Sequence, residues 1–388
     1  MAMIVKKFGG TSVGSIGLIK NIAEKIAAEK REQDSLVLVV SAMAKTTDEL
    51  WAMAHAVSAR PNRREMDMLL TAGERISMSM LSFALQECGL EAISFTGSQS
   101  GIITDDHHGN ARILNVNAFR ILSELEKGKI VIVAGFQGVS LQKEITTLGR
   151  GGSDTSAVAL AGYLKADKCE IFTDVEGVYS ADPRVVERPR LLASIDPDIM
   201  LTLAYGGSKV IHPRAVEFAL KYGIPVEVKS SFSFQPGTML KKNTETNMEL
   251  RVINAIAHKE DLLRYLLPGS EVLTSLLKSW SFEIFRYYLE AERLELIVEA
   301  KYENEIDYLL GSHGISPLSK ETGIGFVIPV GVGINLDPGF LARILEICAG
   351  MELIRVNHTE RSIEMMMPSR QVKECVRLLH NAFIGEES

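Results

Sequence analysis

Short apolar runs alternate with stretches of helical periodicity from Ile4 to Lys229, and this alternation restricts the fold more than any other feature of the chain. Residues 4–8, 36–40, 92–95, 130–134, 170–173 and 226–229 read as strands. Residues 16–30, 48–59, 65–87, 117–127, 155–164 and 213–222 read as helices, the first with Ile19, Ile22, Ala23 and Ile26 on one face. Residues 36–40 are apolar throughout, as expected of a strand covered on both faces. Strand and helix in turn predict an α/β fold in three layers, a mostly parallel sheet between helices. Ligands of such sheets sit beyond the carboxyl ends of the strands.

Two Gly-rich turns fall at such ends. Lys7-Phe8-Gly9-Gly10-Thr11-Ser12 follows the first strand, and Gly149-Arg150-Gly151-Gly152-Ser153-Asp154 opens the helix at 155–164. Glycines let backbone N–H groups approach an anion closely, and a helix start adds partial positive charge. Arg150 offers a planar fork for a carboxylate or phosphate, and Asp154 can orient a cation. The two turns together suggest a nucleotide and a second acidic substrate held face to face. Neither is a Walker A loop, since no Gly-Lys-Ser/Thr stands at the required spacing.

With 388 residues the chain has room for two or three domains. Its net charge of −7 argues against a nucleic-acid partner, which favours a basic patch. No secretory signal is expected ahead of Lys6-Lys7, and the longest uncharged run, 322–336, is too short and too broken by Gly and Pro to span a bilayer. Cys88, Cys169, Cys348 and Cys375 lack metal-ligand spacing and read as free thiols, so the chain is expected in the cytoplasm. His107-His108-Gly109 reads as loop, and no protein metal site is expected.

A polar stretch, 241–249, marks a boundary. Beyond it Pro268-Gly269 and Pro338-Gly339 stand 70 residues apart, each before a helix, two strands and a further helix. This internal repeat predicts two ferredoxin-like α+β units in tandem. Gly331-Val332-Gly333 lacks the third glycine of a dinucleotide fingerprint and reads as strand, and Met365-Met366-Met367 as core strand.

Taken in order, Lys7-Phe8-Gly9-Gly10-Thr11-Ser12, Ser41-Ala42-Met43, Gly73-Glu74-Arg75, Thr147-Leu148-Gly149-Arg150-Gly151-Gly152-Ser153-Asp154 and Thr173-Asp174-Val175-Glu176-Gly177-Val178-Tyr179 resemble aspartokinase, of the amino-acid kinase family. The resemblance runs from about residue 3 to about residue 240. The tail resembles, more loosely, the paired ACT domains that follow this kinase in many bacteria. It implies a catalytic domain at 1–245 and a regulatory region at 250–388, with the first ACT-like unit at about 259–320 and the second built from about 250–258 plus 321–388.

The resemblance also implies an activity: transfer of the ATP γ-phosphoryl group to the side-chain carboxylate of L-aspartate, toward lysine, threonine and methionine. Lys7 is implied to reach the transferring phosphoryl group and Asp154 to organise Lys7 and the phosphates. Arg150 is implied to hold the substrate α-carboxylate and Glu74 its α-ammonium, with Ser41, Thr47 and Ser153 completing the substrate set. Gly9, Gly10, Thr11, Ser12, Thr173, Asp174, Tyr179, Asp182, Arg184 and Lys209 are implied to bind ATP, with Mg²⁺ carried by the nucleotide. The family pairs ACT units between chains, which implies a homodimer or larger assembly, and it implies an amino-acid effector.

Here the first unit's strand, 262–267, runs into Pro268-Gly269 without a preceding acidic residue, whereas the second keeps Asn335-Leu336-Asp337-Pro338-Gly339. Lysine and threonine, singly or together, are therefore expected to inhibit weakly or not at all through the first unit. Two other readings stay open: a kinase of glutamate or acetylglutamate, and an inactive amino-acid-sensing protein. The first is disfavoured by Glu74 and Thr47, because an acylated amine leaves Glu74 without a cation. The second would expect Lys7, Arg150 or Asp154 to be replaced, and all three are present.

Overall fold

Near-continuous apolar runs such as Ser35–Val40, buried at every position, become the middle of a sheet because both faces need cover. The computed structural model describes residues 2–31, 33–242, 252–269, 272–280, 283–290, 292–334 and 337–385. Its chain divides into two compact units. The first comprises Met1–Val178, Leu191–Leu201 and Lys209–Thr244, and the second Tyr179–Arg190, Thr202–Ser208 and Glu245–Ser388. Residues 243–249 of the polar boundary lie outside the described residues.

The first unit is built on an eight-stranded sheet. From one edge its order is Ser194–Ile195, Thr238–Leu240, Val226–Ser230, Lys168–Thr173, Met3–Phe8, Ser35–Val40, Ile130–Ala134 and Ala92–Phe95. Every adjacent pair is parallel except Val226–Ser230 with Thr238–Leu240. The α/β architecture and mostly parallel sheet are as the alternation predicts. On one face Ile19, Ile22 and Ile26 of helix Ile16–Glu29 pack with Leu81 and Leu85 of helix Ala72–Glu87 on Phe8, Leu38 and Ile132. Helix Gly152–Leu164, buried except at Asp154 and Tyr163 and nearly all small or apolar, runs back against Met3–Phe8.

The stretch expected as one helix at 65–87 is two, Arg63–Leu70 and Ala72–Glu87, meeting at Thr71. Helical periodicity continues through the break, so the sequence does not reveal it. A second sheet, made of Ile113–Val116, Ile102–Thr104, Gln137–Ser140 and Ile145–Thr147, was absent from the sequence reading because its strands are only three or four residues long.

The second unit centres on a six-stranded sheet. Strand Val252–Pro268 pairs antiparallel with Ser319–Val332 over most of its length and with Arg293–Glu299 over Leu262–Pro268. It carries bulges between Lys259 and Arg264, with Asp261 at φ +56°. Two apolar cores line it. One holds Leu263, Tyr265, Leu296, Val298 and Ile306; the other holds Ile253, Val327, Met365, Met367, Val376 and Leu379. The Met365–Met367 run is core strand, as expected. Asp337 caps helix Pro338–Ile347 by accepting from the Gly339 N–H at 2.9 Å, while Asn335 and Leu336 of that loop lie outside the described residues. Cys169, Cys348 and Cys375 are buried and Cys88 is half-buried, all as free thiols. Among the described residues no helix is long and apolar enough to cross a membrane.

Candidate active site

Side-chain alternation along Met3–Phe8 sends its two lysines to opposite faces. Lys6 is buried among Glu29 at 2.9 Å and Glu170 at 3.3 Å. Lys7 turns the other way and meets Asp154 Oδ1 at 2.6 Å. Asp154 stands in the first turn of Gly152–Leu164, where aligned peptide dipoles favour a carboxylate, and the His212 N–H approaches its second oxygen at 3.4 Å. The turn before that helix depends on Gly151 at φ +59°, where a Cβ would lie 2.2 Å from the His212 side chain.

These elements line an open cavity of about 250 Å³. Lys7, Gly10, Ser41, Ala42, Ala44, Thr47 and Glu74 line one part of it. Phe136, Gly149, Arg150, Gly151, Gly152, Ser153 and Asp154 line the rest. Glu74 is 3% exposed and sits in the first turn of Ala72–Glu87. Its Oε1 accepts from the Ala42 N–H at 3.1 Å, and its Oε2 has no hydrogen-bond partner. Burial pushes its pKa up to about 7, against the two backbone N–H bonds that oppose the shift. A buried carboxylate oxygen left unpaired on a cavity wall is costly, and a bound cation would satisfy it. The site therefore carries cations at Lys7 and Arg150 and one carboxyl, Glu74, with an unpaired oxygen.

The model of the amino acid kinase family matches residues 2–230. Over 405 residues the chain is 44% identical to the aspartokinase of Bacillus sp. (strain MGA3), covering 99% of this chain and 97% of that one. The chain belongs to the aspartokinase family. It is likewise 41% identical to the aspartokinase of Geobacillus stearothermophilus over 406 residues, covering 100% of this chain and 99% of the relative. The crystal structure of E. coli aspartokinase III in complex with aspartate and ADP (R-state) shares the fold, with a TM-score of 0.85 at 22% identity, covering 98% of this chain and 99% of that one.

Of the residues an aspartokinase resemblance singles out, Lys7, Gly10, Ser41, Thr47, Glu74, Arg150, Ser153 and Asp154 all face this cavity. Gly9 and Ser12 lie beside it in the turn after Met3–Phe8. The Gly9 N–H donates to the Phe172 carbonyl at 3.2 Å, and Ser12 Oγ is buried without a hydrogen-bond partner. Thr11 is exposed. Thr173 ends the neighbouring strand Lys168–Thr173 and donates to exposed Asp174 at 3.1 Å. Lys209 is exposed in the first unit. Tyr179, Asp182 and Arg184 belong to the second unit, where Arg184 donates to Asp182 at 2.7 Å and holds that carboxyl below its usual range.

Two residues the sequence reading did not single out also line the cavity. Ala44 has φ +45° and Phe136 φ +66°, backbone conformations uncommon for side chains with a Cβ. Phe136 is pinned by its N–H to Ser156 Oγ at 3.1 Å and by its carbonyl, which accepts from the Leu148 N–H at 2.8 Å. Strain held this firmly clusters at functional sites. Position after a central strand was the one signal available, since Gly135-Phe136 follow Ile130–Ala134 directly.

Proposed function

We propose that this chain is an aspartate kinase: ATP and L-aspartate give ADP and 4-phospho-L-aspartate. The observation that carries this reading is the buried, unpaired Glu74 Oε2 on the same cavity as Arg150. A carboxylate and a guanidinium lining one small cavity match the α-ammonium and α-carboxylate of a free amino acid. Ser41, Thr47 and Ser153 line the same space and offer hydroxyls to the remaining substrate oxygens.

In the reaction one side-chain carboxylate oxygen of aspartate bonds to the γ-phosphorus as the bond from that phosphorus to the β,γ-bridging oxygen breaks. The bridging electron pair leaves with ADP. No general base is needed, because a carboxylate is already ionised at pH 7. The protein's task is to bring two anions together, which is electrostatic positioning. Lys7, aimed by Asp154, supplies the positive charge at the transferring group. Ser12 Oγ, buried without a partner, offers a donor to the phosphates, and Gly9 and Gly10 let the backbone approach them closely. Thr11, Thr173, Asp174, Tyr179, Asp182, Arg184 and Lys209 remain our proposal for the rest of the nucleotide site on family resemblance. On the same resemblance we propose that Mg²⁺ arrives on the nucleotide, where it would offset phosphate charge.

The substrate panel tests this directly. ADP release should be supported by aspartate and far less by glutamate or N-acetylglutamate. Comparable turnover with N-acetylglutamate, which has no ammonium for Glu74, would overturn the reading. Arg150→Ala should raise KM for aspartate roughly 10- to 100-fold, because a charge-assisted hydrogen bond contributes roughly 1.5–3 kcal/mol. KM for ATP should change little, and steady-state kinetics with each substrate varied in turn decides the point.

We further propose residues 1–245 as the catalytic domain and 250–388 as the regulatory region, in which the chain assembles into a homodimer or larger oligomer. The division of the chain at Thr244 supports the first, and the open edge strands of the six-stranded sheet, Ile284–Glu290 and Arg355–His358, support the second. A stable monomer at micromolar concentration by light scattering would count against assembly. Strand Val252–Pro268 runs through residues 262–267 to Pro268 with no acidic residue just before Pro268-Gly269, which supports weak or no inhibition by lysine or threonine at the first regulatory unit.

A further inference from the structure

The segment that carries Arg150 has no regular structure of its own between strand Ile145–Thr147 and helix Gly152–Leu164. Two charged side chains that do not line the cavity grip it. Asp67, fully buried near the end of Arg63–Leu70, accepts from Thr147 Oγ1 at 2.6 Å and from the Gly109 N–H at 3.1 Å. It also accepts from His108 Nδ1 at 2.7 Å, the ring nitrogen being the donor because a carboxylate only accepts. From helix Pro213–Tyr222, Arg214 donates to the Leu148 carbonyl at 2.6 Å and the Ala111 carbonyl at 2.9 Å. The Ala111 N–H donates in turn to the Thr147 carbonyl at 2.8 Å, tying the 107–111 loop to the strand. Gly149, at φ +75°, passes so close to this loop that a Cβ would lie 3.0 Å from Asn110 Oδ1.

We propose that Asp67 and Arg214 are positioning residues for substrate recognition: they clamp the 107–111 loop and the 147–149 segment together and so fix where Arg150 meets the α-carboxylate. A buried carboxylate and a largely buried guanidinium are expensive places to spend polar groups, since apolar packing of equal volume is often as stable. What the pair adds is geometry. Thr147 and Leu148, three and two residues before Arg150, are bonded from opposite sides, and Gly149 passes close against Asn110. A misplacement of about 1 Å at such a contact is enough to cost up to about 100-fold. His108 acts here as a loop clasp on Asp67, which gives the His107-His108-Gly109 motif a role without a metal.

The inference rests on Arg150 being the carboxylate ligand, and a double-mutant cycle separates the two ideas. Asp67→Asn should raise KM for aspartate about tenfold, with kcat and KM for ATP within about twofold. In an Arg150→Ala background the same substitution should add less than about twofold, because the contact it positions is already gone. Should Asp67→Asn not yield folded protein by circular dichroism, Arg214→Lys carries the same test, since it keeps the charge and loses the fork. If Arg150→Ala leaves KM for aspartate unchanged, the ligand assignment falls. If Arg150→Ala raises it but Asp67→Asn or Arg214→Lys does not, or acts additively with it, or raises both KM values alike, the positioning role is overturned.

Discussion

Replacing Lys7 by methionine should lower kcat by on the order of 10²-fold or more, the usual cost of one preorganised charge contact. Aspartate binding should survive, because Glu74 and Arg150 are untouched. The variant also leaves Asp154 in a nearly buried place without its partner, so some loss of stability is expected alongside. The two effects separate in the Lys7→Met, Asp154→Asn double variant. Removing the orphaned charge should restore the midpoint of thermal unfolding while turnover stays low. Near-normal turnover in either variant would remove Lys7 from the mechanism. Recovery of turnover together with stability would mean that the lysine serves only to neutralise Asp154.

Glu74→Gln should move two quantities in opposite directions. KM for aspartate should rise on the order of 10²-fold, because an ammonium brought into the cavity would lose its counter-charge, and breaking a buried pair commonly costs about 3–5 kcal/mol. The free protein should meanwhile gain stability at high pH. The Glu74 pKa lies at about 7 in the folded chain and at 4.5 when unperturbed. Between these values the folded state holds a proton that the unfolded state has released, so the wild type loses stability as pH rises through that window. At 1.36 kcal/mol per pH unit the loss amounts to about 3 kcal/mol by pH 8. Glutamine does not titrate, so its stability advantage over the wild type should grow by that amount from pH 4.5 to 8. Denaturant unfolding at the two pH values checks it. A pH-independent difference would mean that Glu74 titrates normally. The same proton makes aspartate binding weaken as pH falls through 7, since binding needs the carboxylate.

The readable parts of the chain were those whose physics is local. Residues 36–40 announce a covered strand by composition alone, and the glycines at 9–10 and 149–152 announce turns where a backbone must approach something closely. What escaped depends on partners distant in sequence. Asp67 looks like one more acidic residue on an amphipathic helix, and its meaning comes from Thr147, 80 residues away. Arg214 follows a helix-starting proline, where a basic residue needs no explanation, yet its hydrogen bonds run 66 and 103 residues back along the chain. The positive φ of Ala44 and Phe136 leaves no trace in their side-chain types, because tertiary bonds impose it. The helix break at Thr71 is hidden for a related reason: the apolar spacing continues across it, while the Thr71 carbonyl accepts from Gln137 Nε2, 66 residues away, at 3.2 Å.

Strands Val252–Pro268 and Ser319–Val332 run past both apolar cores of the second unit, with bulges between Lys259 and Arg264. A ladder shared in this way couples the two halves, because the same two strands carry hydrogen bonds on either side of the bulges. Amide exchange along the two strands should therefore report one opening free energy for both halves, whichever is perturbed. Cutting the gene between the halves, or inserting a residue near Asp261, would throw one side out of register with its own core and denature both. The tandem repeat is thus two modules by ancestry of pattern and a single foldon by construction.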